Sequence, residues 1–287
     1  IWALLNCGAL FIYKIIEILM VTVTKNFLLR SLTSSISTSL IWVILRLNIF
    51  RSKFSKIAII GANGGIGSAI IHKIFELDSE NEVIEIVRTR KHEKQYQIDM
   101  LDEQSISNCA EDIKNNYGYL DIIINATGVL HIGDYKPERT FKEISYEYLH
   151  EIFKINTFSP FLISKYFTPL LNKNNTSIIA FLSARLGSIS DNNLGGWYSY
   201  RSSKAALNML IKTLSLELTY RNKNAICIGL HPGTVDTNLS SPFTDRRKNK
   251  KIFERDQAAE YLVNIINDVD VSQSGDIIDW QGEKIDA

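Results

Sequence analysis

Tyr200 and Lys204 stand four residues apart in the stretch S-Y-R-S-S-K-A-A-L-N, a spacing that lays both side chains on one face of a helix. An ammonium beside a phenol favours the phenolate, so the tyrosine pKa is expected to fall from its ordinary ~10 toward neutrality. Such a pair can give and take a proton. The same spacing also fits a solvated helix face, so its chemistry depends on the elements around it. Two further patterns bear on that: Asn156 sits among apolar residues, where its amide needs a partner, and glycines cluster at Gly61, Gly64, Gly65 and Gly67.

The elements that must position these residues read in order. K-I-A-I-I over Lys56–Ile60 is the short β-branched run of a buried parallel strand. G-A-N-G-G-I-G follows, with Asn63 and Ile66 between the glycines, and then a helical pattern ending at Leu77. Gly61 suits the tight turn, Gly65 a close approach of backbone to a pyrophosphate, and Gly67 the packing of helix on strand. The spacing G-x-x-x-G-x-G differs from the G-x-G-x-x-G dinucleotide fingerprint, and a flexible loop is the competing reading. A second strand over Glu82–Val87 ends without a carboxylate and runs into Arg88, Thr89, Arg90 and Lys91. Guanidinium groups there suit a 2'-phosphate, which favours NADP(H), with Arg88 as its ligand and NAD(H) as the alternative.

A third strand over residues 96–98 ends at Asp99 and Met100, positioned to meet the adenine, and Glu103–Tyr117 reads as an amphipathic helix. The fourth strand, residues 120–124, runs into Asn125, Ala126, Thr127 and Gly128, either a strand end pressed against a cofactor or an ordinary turn. Residues 145–171 read as one long helix containing Asn156, with a kink expected at Pro160, and residues 275–280 as the last strand.

The 287 residues, 45% of them hydrophobic, suffice for a sizeable α/β core. Lys and Arg total 32 against 31 acidic residues, a balance that speaks against nucleic acid as the partner. Cys7, Cys109 and Cys227 are far apart and lack metal-ligand spacing, so no metal site is expected and a reducing, cytoplasmic location is. Residues 1–55 differ from the rest. They are apolar and basic, with no acidic residue between positions 18 and 75, and read as a transit segment, a membrane anchor or an appended stretch irrelevant to catalysis. Organelle targeting or membrane contact is expected only if that extension is genuine.

From residue 56 onward the chain resembles the short-chain dehydrogenase/reductase family through G-A-N-G-G-I-G, Asp99, N-A-T-G, Asn156, Tyr200 with Lys204, and H-P-G-T-V-D-T. Within it, the runs F-L-S-A-R-L-G-S-I and G-D-I-I-D-W-Q-G resemble the carbonyl-reductase branch that includes the myxobacterial C-signal proteins. The resemblance implies a single doubly wound Rossmann-type parallel sheet with helices on both faces. It also implies interconversion of a small carbonyl compound and its alcohol, and a homodimer or homotetramer paired through the helices of Asn156 and Tyr200.

The implied roles are Tyr200 as general acid/base, Lys204 as modulator of Tyr200 and ligand of the nicotinamide ribose, and Asn156 as anchor of a proton-relay water. Pro232, Gly233, Val235 and Thr237 would flank the nicotinamide. Tyr198 competes for the phenol role, but Ser202 and no lysine stands four residues on. The family's catalytic serine falls on Ala184, so Ser183, or else Ser188, is expected to supply the hydroxyl. Arg246, Arg247, Lys248, Lys250 and Lys251 read as a selector of anionic substrates or as a solvated run, and Trp197 as a pocket wall or a core aromatic.

Overall fold

A computed structural model describes residues 56–244 and 251–286. The expected extension 1–55, and Arg246, Arg247, Lys248 and Lys250, lie outside the described residues.

β1 (Lys56–Ile60), β2 (Glu82–Val87), β3 (Tyr96–Gln97), β4 (Ile122–Asn125), β5 (Ser177–Leu182), β6 (Ala225–His231), β9 (Ile277–Asp279) and β10 (Lys284–Ile285) form one sheet in the order β10-β9-β6-β5-β4-β1-β2-β3, and β7 (Thr234–Val235) pairs with β8 (Ile252–Phe253) apart from it. Every pairing is parallel except that of β10 with β9. Ile and Val dominate β1, β2 and β4 because both sheet faces are covered.

On one face α2 (Glu103–Tyr117), α4 (Ser159–Phe167) and α5 (Tyr198–Arg221) bury Ile106, Ile113, Phe167, Leu207 and Ile211. On the other α1 (Gly65–Leu77) and α6 (Arg255–Asp268) bury Ile70, Ile74, Leu262 and Ile266. This is the doubly wound α/β architecture expected. Strand order reverses between β1 and β4, so the two strand ends diverge there and leave a crevice at the carboxyl edge.

Several boundaries differ from the expectation, the third strand among them, which spans Tyr96–Gln97. Leu120 lies outside β4, in an isolated bridge to Leu171, and the last strand spans only Ile277–Asp279 before the chain turns back as β10. The helix expected over residues 145–171 is broken into α3 (Tyr146–Phe153), a π-helical turn Lys154–Phe158, and α4. The break precedes Pro160. Lacking an N–H, Pro160 cannot close a four-residue turn onto Asn156, while the Ser159 N–H reaches back five residues to the Lys154 carbonyl. Among the described residues no helix is long and apolar enough to cross a membrane.

Candidate active site

A cleft of about 920 Å³ opens at the carboxyl ends of the strands. Its floor at one end is the glycine turn. Gly61 takes φ +89°, a conformation that a side chain would strain, and a Cβ on Gly67 would run into the Gly61 carbonyl. α1 starts at Gly65 with no side-chain cap and no acidic residue in its first turn, and Asn63, Gly64, Gly65 and Ile66 line the cleft at that helix start. Asn63 ties the turn to the next loop by donating to the Thr89 carbonyl at 3.0 Å.

Arg88 and Lys91, both exposed, line the cleft beyond β2, while the nearby Glu85 is held by Gln95 at 2.7 Å. Arg255, the first residue of α6, lines it opposite Gly65, with Nε 3.4 Å from where a Gly65 Cβ would stand. Sequence reading passed over Arg255 because a separation of 190 positions from Gly65 hides its approach to the glycine turn. No local motif marks it.

At the other end of the cleft Tyr200 and Lys204 face inward from the first turns of α5, 8% and 3% exposed, which rules out the solvated-face reading. Lys204 Nζ donates to the Leu182 carbonyl at 2.9 Å, lies 5.9 Å from the centre of the Tyr200 ring and would be 3.3 Å from a Cβ on Gly128. The expected lowering of the phenol pKa is overturned. Burial pushes Tyr200 up to about 12 and Lys204 down to about 8, because the charged form of each loses its hydration there. Trp197 lines the cleft and meets the Tyr200 ring edge-on at 6.3 Å.

Ala126, Thr127, Gly128, Ser183, Pro232, Gly233, Val235 and Thr237 also line the cleft. The turn through Gly233, φ +78°, rests on Phe253 and Trp280. Other expected residues lie beneath or beside the cleft. Asn125 is buried, and its Oδ1 accepts from Thr127 N–H at 3.2 Å and Thr127 Oγ1 at 2.6 Å, shaping the turn instead of facing a ligand. Asn156 clamps Val129, accepting its N–H and donating to its carbonyl, each at 2.8 Å, and donates to Ser203 Oγ at 3.2 Å. Asp99 accepts from the Leu101 N–H, and the Met100 carbonyl accepts from Ser159 Oγ.

Ser183 Oγ donates to Asn208 Oδ1 at 2.5 Å, and Ala184 packs with Leu130 and Tyr200 where a hydroxyl was sought. Ser188 is buried outside the cleft, its Oγ accepting from Asp191 N–H. The residues of the cleft therefore fit a polyanionic dinucleotide at the glycine turn and an apolar, proton-donating corner at Tyr200.

Residues 55–248 match the short chain dehydrogenase family. The chain belongs to that family. It is an oxidoreductase. This short-chain dehydrogenase is 27% identical over 168 residues to the C-signal protein of Myxococcus xanthus, covering 58% of this chain and 93% of that one. It is 28% identical over 178 residues to the 1-hydroxy-2-glutathionyl-2-methyl-3-butene dehydrogenase of a Rhodococcus species, covering 62% and 73%. Among solved structures it superposes on the carbonyl reductase Sniffer of Drosophila melanogaster with a TM-score of 0.72 at 23% identity, covering 82% and 100%. The NADPH-bound carbonyl reductase from chicken fatty liver gives 0.70 at 24%, covering 82% and 99%. At these identities the structural likeness establishes the fold.

Proposed function

We propose that this protein interconverts an aldehyde or ketone and the corresponding alcohol, using NADP(H) with NAD(H) as the alternative, and that Tyr200 moves the proton. When bound, the reduced nicotinamide supplies a hydride to the carbonyl carbon. Arg88 and Lys91 would hold a 2'-phosphate, which no carboxylate at the end of β2 repels. The first-turn amides of α1 and Arg255 would receive the pyrophosphate, and Pro232, Gly233, Val235 and Thr237 would border the nicotinamide. Asn156 serves this arrangement through Val129, whose position beside Gly128 its amide fixes.

The observation that carries the reading is Tyr200, buried in the cleft beside Lys204. From that position the protonated phenol can give its proton to a carbonyl oxygen at the inner end of the cleft. An NADPH-bound carbonyl reductase of this fold supports the cofactor and the substrate class. We place pairing of subunits on α4 and α5, which expose Phe161, Met209 and Leu216.

A second reading, a nucleotide-binding sensor or signalling homologue with little turnover, draws on Ala184 and on the Ser183 hydroxyl turned to Asn208, which remove the expected polarising donor. One experiment separates them: NADPH consumption over a panel of carbonyls, with NADPH binding followed by fluorescence, for wild type and Tyr200→Phe. Turnover that Tyr200→Phe abolishes while binding persists is the expected result. An unchanged rate removes Tyr200 from the mechanism, and wild-type binding without consumption of NADPH selects the sensor.

A further inference from the structure

Glu138 is an acidic residue 1% exposed, 61 positions ahead of Ser199, and none of the chemistry above uses it. Both of its carboxylate oxygens accept from the Ser199 N–H at 3.2 Å, and Oε1 also accepts from Ser199 Oγ. Its main-chain carbonyl accepts from the Trp197 N–H. These bonds fall on the start of α5, where an ordinary cap is missing. Trp197 occupies the N-cap with φ 54° and ψ 44°, a left-handed conformation a tryptophan rarely holds, and its indole offers no oxygen to the helix amides. The next residue after Ser199 is Tyr200, and the Trp197 ring stands against it.

We infer that Glu138 is a positioning residue for proton transfer: it substitutes for the missing cap of α5 and so sets the direction of the Tyr200 hydroxyl and the placement of Trp197 as the wall beside it. The inference rests on the hydride-transfer reading for its consequence in turnover, and on the hydrogen bonds alone for the geometry. Two acceptor oxygens on one buried group restrain Ser199 in direction as well as distance.

The test uses the full chain with Glu138→Gln, Ser199→Ala and Ser199→Thr. Glu138→Gln keeps the volume and one acceptor oxygen, and Ser199→Thr keeps the hydroxyl. Glu138→Gln and Ser199→Ala are expected to lower kcat for carbonyl reduction ~10- to 100-fold, since small misplacements of a reacting group are costly. The Kd for NADPH, read by fluorescence, should stay within about twofold because the glycine turn is untouched, and Ser199→Thr should recover most of the rate. Wild-type kcat in Glu138→Gln would overturn the inference. So would equal losses of kcat and NADPH affinity together with a fall in melting temperature, the mark of a merely structural residue. If the wild type reduces no carbonyl, the hydride-transfer reading fails instead. Amide hydrogen exchange over residues 198–202 then decides: faster exchange in Glu138→Gln sustains the clamp, and unchanged exchange refutes it.

Discussion

Ser183 donates its hydroxyl hydrogen to Asn208, and the methyl group beside Tyr200 belongs to Ala184. Removing the Ser183 hydroxyl leaves Asn208 Oδ1 buried without that donor, so Ser183→Ala should lose about 1–3 kcal/mol in denaturant unfolding with little change in kcat. Ala184→Ser would restore a donor next to the phenol and should raise kcat by ~10-fold or more, given what one such donor is worth. A Ser183→Ala enzyme that is stable but inactive would show that Ser183 faces the substrate after all.

Lys204 makes a second residue-scale prediction. Its folded pKa of about 8 lies below the ordinary ~10.4, so between those values the unfolded chain binds more protons than the folded one. Stability should therefore rise as pH climbs through that window, because raising pH removes the proton that burial opposes. Unfolding curves measured across it should show the rise in wild type and a flatter profile in Lys204→Met.

At the scale of elements, the π turn Lys154–Phe158 is what aims Asn156 at Val129. Pro160→Ala supplies an N–H that can close on the Asn156 carbonyl, competing with the five-residue turn. The expected outcome is a regular α turn, withdrawal of the Asn156 amide from Val129 and Ser203, and a kcat lowered ~10-fold by displacement of the Gly128 segment. Faster amide exchange at Val129 would report the same change. An enzyme with wild-type kcat and protection at Val129 would show that the π turn has no bearing on the site.

For the whole molecule, the parallel sheet ends in short strands, two residues in β3 and two in β10, so neither edge offers a long row of free backbone groups. α4 and α5 expose apolar side chains: Phe161 is 47%, Leu216 55% and Met209 65% exposed. Light scattering is expected to give a dimer or tetramer for the wild type. The double variant Phe161→Lys, Met209→Lys should move it to a smaller species without unfolding it, since neither side chain is in the core. A monomeric wild type would refute pairing through these helices.

The residues themselves determined a good deal: strand, glycine turn and helix from Lys56 to Leu77 and the span Glu103–Tyr117, because hydrophobic periodicity and glycine spacing are local properties that one stretch of chain carries alone, and the resemblance of its motifs pointed to the family. Tertiary structure decided the rest. The direction in which the Tyr200 pKa moves depends on burial, which no four-residue spacing contains, and burial in the cleft raises it. Arg255 at the glycine turn, Glu138 under Ser199 and Ser183 on Asn208 are contacts between residues distant in sequence. Only the packing of helices on both sheet faces brings such partners together, which is why the chemistry of the cleft was named by the sequence and arranged by the fold.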